Sequence, residues 1–297
     1  MSDSTITSDF SSIPILDYSL LDSPSQRPKF IAQLQHALIN IGFLYLSNHP
    51  VSTADIDSLI QYIPKLFASP QEAKDKIRMA NSEHFLGYSR LGAELTKGKV
   101  DQREQFDFAT RHVCRWKEGD PEYYRLWGPS QVCVFGHFWM CLCSRCATQW
   151  PDENLIPGFR DTMERYLNQV QDLSYKFSSL LAEAFGLPPN GLAHFYDTDE
   201  LMQHRSKIVR YPVVKEGDDD QGVGPHYDAG FLTFVECPSV VSHFHAVFTM
   251  DVCSSCKPRH IVDCKSRIFQ ESGLTHRPFR ALSLSTSEKV IFALPCN

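Results

Sequence analysis

A histidine and an aspartate stand two residues apart in Gly224-Pro225-His226-Tyr227-Asp228-Ala229-Gly230-Phe231-Leu232-Thr233-Phe234, at the head of an apolar run. In a strand, positions i and i+2 share a face, so the His226 imidazole and the Asp228 carboxylate are expected to point the same way. Two such donors form two corners of a 2-His-1-carboxylate facial triad, the set that holds non-haem Fe(II) while leaving open positions on the metal. Alone, a His-x-Asp pair also reads as a surface turn. The sequence around it decides between the two.

Upstream stands Lys207-Ile208-Val209-Arg210-Tyr211-Pro212, a strand-like run ending in Tyr-Pro. Nearer the start come Ile13-Pro14-Ile15-Leu16-Asp17, then Gly42-Phe43-Leu44-Tyr45-Leu46-Ser47-Asn48-His49-Pro50. Leu66-Phe67-Ala68 with Lys74, Gly87-Tyr88-Ser89, Glu94 and the Asp101 to Phe108 stretch follow. In this order the segments together resemble the 2-oxoglutarate/Fe(II)-dependent dioxygenases, in the isopenicillin N synthase-like branch. The resemblance covers nearly all of residues 13–130 and 150–234.

That resemblance implies an α+β chain: an N-terminal helical region, a long backbone helix, and a double-stranded β-helix (jelly roll) carrying the iron. It implies Fe(II), 2-oxoglutarate as co-substrate, dioxygen, and ascorbate as an accessory. His226 and Asp228 are the expected metal ligands. His276, within Thr275-His276-Arg277, is the best match for the third, although it follows Asp228 by 48 residues, closer than the family usually shows. Tyr211 matches the tyrosine that contacts the 2-oxo acid. The family's Arg-x-Ser grip on the distal carboxylate has no counterpart; Lys289 stands roughly there, and an ammonium cannot supply the bidentate fork of a guanidinium. No catalytic residue is expected beyond the iron site.

The elements that must position these residues are legible from periodicity. Ile13–Leu16 reads as a strand, Arg27–Asn40 as a helix with Phe30, Ile31, Leu34, Ala37 and Leu38 at helical spacing, and Leu44–Leu46 as a second strand. Thr53 is the expected N-cap of a helix running to about Pro64. Pro70 opens another, with Glu72, Lys74 and Lys76 expected on its wet side. Gly158–Phe185 reads as one long amphipathic helix stopped by Gly186 and Pro188-Pro189.

Net charge is -6, which offers no basic footprint for nucleic acid. The opening Met1 to Ser12 lacks an apolar core for a secretory leader, and no apolar run of about eighteen residues exists to span a bilayer. A cytoplasmic location and a small-molecule partner are the expectations; the composition leaves the oligomeric state open.

The cysteines are distributed unevenly. Of the 10, only Cys114 lies where the family resemblance holds. Cys133, Cys141, Cys143 and Cys146 fall within Val132–Gln149, and Cys237, Cys253, Cys256, Cys264 and Cys296 follow Phe234. Two Cys-x-x-Cys pairs, at Cys143/Cys146 and Cys253/Cys256, have the ligand count of a structural zinc site, but more than a hundred residues separate them, far beyond zinc-ribbon spacing. His243 and His245 are weaker metal candidates in the same tail. Removing 132–149 restores the join that the family shows, Gln131 running into Trp150. Valine codons begin GT and one glutamine codon ends AG, so the segment reads as a possible retained intron, with a true apolar insertion as the alternative.

The division expected is therefore 13–130, an N-terminal dioxygenase region; 132–149, an anomalous insert; 150–234, the backbone helix and the start of the jelly roll; and 235–297, an anomalous tail. With that tail, the jelly roll is expected to be incomplete at the C-terminus. The function implied by the resemblance is oxidation of a small organic molecule by hydroxylation, desaturation or cyclisation, of the kind found in fungal secondary metabolism. The alternative is a degenerate or mis-spliced relative that does not bind iron competently.

Overall fold

The computed structural model describes residues 13–110, 112–128, 131–132, 147–193, 202–212, 222–223, 232–236, 245–252 and 290–293, with backbone alone at 131–132, 147–148, 245–252 and 290–293. In chain order the elements are β1 (Ile15–Asp17), α1 (Arg27–Asn40), β2 (Phe43–Ser47), α2 (Thr53–Ala68), α3 (Gln71–Lys76), β3 (Gly87–Ser89), β4 (Leu95–Thr96), β5 (Lys99–Val100), β6 (Glu104–Ala109), β7 (Gln131–Val132), β8 (Ala147–Thr148), α4 (Phe159–Ala184), β9 (His204–Tyr211), β10 (Leu232–Glu236), β11 (His245–Val252) and β12 (Val290–Ala293). Eight strands form one sheet in the order β1-β2-β12-β10-β11-β9-β6-β3. β1 and β2 are parallel, whereas the other pairs in that sheet are antiparallel. No helix among the described residues is long and apolar enough to cross a membrane.

Helix α1 spans the residues its periodicity predicts, burying Phe30, Leu34, Ala37 and Leu38. Two helix expectations need correction. Ser52, not Thr53, caps α2: its hydroxyl accepts from the Asp55 N–H at 3.3 Å. The helix also runs through Pro64 to Ala68, because Leu59, Ile63, Leu66 and Phe67 are buried on both sides of the proline. That apolar stripe outweighs one lost backbone hydrogen bond.

α4 forms the spine of the core. It buries Phe159, Met163, Tyr166, Val170, Leu173, Phe177, Leu180 and Leu181 along one side. Phe177 meets Phe234 of β10 edge-on at 6.3 Å, and Phe159 and Trp150 pack on Phe108 of β6 at 6.0 and 4.5 Å. One face of the sheet is thereby fixed against the helices, and alternation assigns every other strand residue to the opposite face.

The tail departs from expectation at three places. β10 continues past Phe234 to Glu236, and β11 and β12 from the region after it pair into the sheet, β11 between β10 and β9, β12 between β10 and β2. Ala246-Val247-Phe248-Thr249-Met250 and Val290-Ile291-Phe292 are rich in β-branched and aromatic residues, which suit a central strand. These segments therefore extend the sheet beyond Phe234.

At the insert, β7 and β8 set Gln131 opposite Thr148 and Val132 opposite Ala147, so the two ends of 132–149 lie side by side. Just beyond, Gln149 and Trp150 are buried. Gly87 has φ +108°, and a Cβ there would stand 2.2 Å from the Ile77 carbonyl oxygen and 2.8 Å from Gln149 Oε1, so glycine is needed for this close approach. Deleting Val132–Gln149 would place Gln131 directly before Trp150, supplying the same residue type that Gln149 supplies now. The shortened chain should keep its fold and melt at the same or a higher temperature. A lower melting temperature or loss of soluble protein would mean the insert is packed into the native structure.

Candidate active site

The neighbouring strands β6 and β9 pair Glu104 with Arg210, Phe106 with Ile208, Asp107 with Lys207 and Ala109 with Arg205. Every residue of β6 is buried, although three of the six are polar or charged. Each buried polar group therefore needs a partner, and the two faces meet that need differently.

On the helix-facing side Glu104 is the centre of a clamp. Its Oε1 accepts from Lys74 Nζ at 2.7 Å and from the Tyr88 hydroxyl at 2.6 Å, and its Oε2 is paired with the Arg210 guanidinium. Lys74 Nζ also donates to the Phe67 carbonyl at 3.0 Å and lies 5.2 Å from the Tyr88 ring centroid. Burial and the Glu104 carboxylate together push the Tyr88 phenol well above the ordinary range. Lys74, expected on the wet side of its helix, is 6% exposed. Its partner lies 30 residues on, so helical periodicity could not reveal it.

The opposite face of the same strands is ionic. Gln105 Nε2 donates to Glu94 Oε1 and to Asp107 Oδ2, both at 2.8 Å. Arg103 Nη2 donates to Glu94 Oε2 at 2.6 Å and sits 3.3 Å from Asp101 Oδ2. Burial raises the Asp107 carboxyl above its ordinary value, with Lys207 and Arg205 acting the other way. Sequence reading took Glu94 and 101–108 only as matching segments. The signal that could have separated the roles is the alternation of Gln105 and Asp107 with Phe106 and Phe108.

Tyr211, at the end of β9, belongs to this ionic face. Burial raises its phenol above the ordinary value while the neighbouring Arg103 guanidinium opposes the shift, so the hydroxyl is protonated at neutral pH and can donate. Its ring is covered by Gly222, where a Cβ would fall 2.6 Å from Tyr211 Cδ1. A protonated phenol suits an acceptor such as a 2-oxo acid. His226, Asp228, His276 and Lys289 lie outside the described residues, as do both Cys-x-x-Cys pairs. Among the described residues, no group of three His, Cys, Asp or Glu side chains could hold a metal ion.

A buried histidine lies at the other end of β9. His204 Nδ1 is 3.3 Å from the Thr110 hydroxyl, and the ring meets Tyr175 edge-on at 5.6 Å. Burial, with a smaller contribution from His112, lowers its pKa from 6.5 to about 4. The unfolded chain therefore takes up a proton on this side chain before the folded one does. Stability should fall as pH drops from about 6.5 toward about 4 and this contribution should level off below that. Denaturant melts across this window should give a flatter profile for His204→Gln; an unchanged slope would show that His204 does not contribute.

The model for the non-haem dioxygenase in morphine synthesis N-terminal family matches residues 13–133. A 2-oxoglutarate-dependent dioxygenase of Dothideomycetidae sp. is 39% identical over 229 residues, covering 76% of this chain and 56% of that protein. Another from Gibberella zeae is 33% identical over 236 residues, covering 77% and 56%. A homoarginine-6-hydroxylase of Glycine max is 29% identical, covering 77% and 67%. The chain thus spans little more than half the length of the first two relatives. Among solved structures, Neurospora crassa T7H in complex with alpha-KG and thymine superposes with a TM-score of 0.60 at 18% identity, covering 98% of this chain and 82% of that one. JOX2 in complex with 2OG, Fe and JA gives 0.55 at 17%, covering 96% and 70%. These two likenesses concern the fold; in sequence, about three quarters of the chain is similar to curated 2-oxoglutarate-dependent dioxygenases, and residues 13–133 match the N-terminal region of the non-haem dioxygenases.

Proposed function

We propose that this chain oxidises a small organic molecule with Fe(II), dioxygen and 2-oxoglutarate, in fungal secondary metabolism. The observation that carries this reading is the 39% identity to a fungal 2-oxoglutarate-dependent dioxygenase over 229 residues. In this reading the eight-stranded sheet is one wall of a jelly roll, and its ionic face lines the site. His226, Asp228 and His276 hold the iron, and Tyr211 and Lys289 hold the 2-oxo acid. When bound, iron and 2-oxoglutarate supply the oxidising chemistry, in which the oxo acid loses carbon dioxide and becomes succinate.

The protein's own share is orientation and exclusion. Tyr211 offers its O–H to the co-substrate. Arg103, itself held by Glu94 and Asp101, keeps the phenol in place. The apolar layer under α4 closes the opposite side of the sheet to water. A second reading, a relative that does not turn over, draws on Lys289 standing where the family carries Arg-x-Ser. A chelated 2-oxo acid colours ferrous iron, which separates the two. Anaerobic addition of both to the full chain should produce a visible absorption absent with either alone; no such band would overturn the proposal.

A further inference from the structure

On the ionic face, β6 and β9 set Asp107 and Lys207 directly opposite each other, yet the two do not form an ion pair. The Lys207 side chain makes no hydrogen bond or ion pair with any described residue, its backbone alone being engaged in the sheet. Asp107 is 6% exposed and accepts, among described residues, only from Gln105 Nε2, through Oδ2. Cross-strand neighbours on one face have Cβ atoms about 5 Å apart, so long side chains of opposite charge ordinarily close on each other. Here an ammonium and a carboxylate face one site without contact.

Gln105 supplies an independent observation. It is 2% exposed, and both of its amide N–H bonds are directed at carboxylates, Glu94 Oε1 and Asp107 Oδ2. Turning the amide over would set its oxygen against two anions, so the orientation is fixed by charge. Its Oε1 is then a buried acceptor with no hydrogen-bond partner. A buried, unsatisfied acceptor is costly, on the order of 1–3 kcal/mol, unless something donates to it. One small surface therefore presents two acceptor groups, Gln105 Oε1 and the Asp107 carboxylate, beside an ammonium, Lys207, that is unpaired among the described residues.

We propose that this surface recognises a substrate bearing a protonated nitrogen next to a carboxylate, that is, an α-amino-acid zwitterion. The ammonium donates to Asp107 and Gln105 Oε1, and the carboxylate accepts from Lys207 Nζ. A neutral apolar substrate would leave all three groups desolvated and unmatched, and a single ion would satisfy only one side. The assignment of this face to the substrate site rests on the proposed function above.

The test uses the full chain and three probes of one carbon skeleton: L-norleucine, hexanoate, which lacks the nitrogen, and pentylamine, which lacks the carboxylate. Calorimetric titration should show L-norleucine binding at least about tenfold more tightly than either, the equivalent of about 1.4 kcal/mol. Asp107→Asn should abolish the advantage over hexanoate, and Lys207→Met the advantage over pentylamine. Lys207→Arg should retain it, which separates charge recognition from a folding defect. Equal binding of the three probes, no binding of L-norleucine, or the same preference in Lys207→Met would overturn the proposal. Binding of 2-oxoglutarate with Mn(II), measured in parallel, reports on the dioxygenase reading alone. Its absence beside an intact zwitterion preference would sink that reading and leave this site standing.

Discussion

His226→Ala and Asp228→Ala should each reduce Fe(II)-dependent decarboxylation of 2-oxoglutarate to background. The expectation follows from donor count. A 2-His-1-carboxylate set gives three protein ligands, and losing one leaves two to hold a labile divalent ion whose remaining positions must take the oxo acid and dioxygen. Metal affinity and co-substrate chelation should therefore fall together. The variants should be assayed for released carbon dioxide and, after desalting, for bound iron. Thermal stability of the metal-free variants should match that of the metal-free parent, because the loss concerns the ion. Either variant keeping most of the parent's activity would remove its residue from the ligand set.

Glu104→Ala should be among the most destabilising single changes in the chain, by roughly 3–5 kcal/mol. The carboxylate is almost fully enclosed, and three donors, Lys74, Tyr88 and Arg210, converge on it. Removing it leaves Lys74, 6% exposed, with an ammonium whose only other hydrogen bond among the described residues is to the Phe67 carbonyl. An unpaired buried cation is the source of the cost; the pair itself contributes much less than its disruption suggests. Removing both charges, as in Lys74→Met with Glu104→Gln, should therefore be milder than Glu104→Ala. Denaturant melts of the three proteins would test this. A Glu104→Ala variant within 1 kcal/mol of the parent would show that the clamp is not tightly enclosed. By contrast, the solvent-facing pair between Arg160 and Glu164, at 2.9 Å along one helix, should be nearly silent when broken.

The contrast between Lys74 and α1 shows what the sequence made legible. Arg27–Asn40 forms the helix its periodicity predicts, and the long helix at 159–184 lies within one residue of its expected ends, because both depend on local spacing. Lys74 looked solvent-facing for the same local reason, and was wrong for a long-range one: its carboxylate is on β6. The Asp107–Lys207 opposition was hidden likewise, since it exists only in the β6–β9 register. The tail strands were missed because scattered Cys, Ser and His residues masked two short β-branched runs. Of the candidate site, the proposed ligands His226, Asp228 and His276 lie outside the described residues, and Tyr211, singled out by the resemblance of its Tyr-Pro run, ends β9. The polar face around it needed the fold.

The most direct measurement of the central claim is succinate formed from 2-oxoglutarate by the full 297-residue chain, with added Fe(II) and again after a chelator. The account predicts succinate and carbon dioxide in equal amounts, abolished by the chelator and restored by iron. No succinate from iron-loaded, folded protein, or formation that the chelator leaves unchanged, would contradict it.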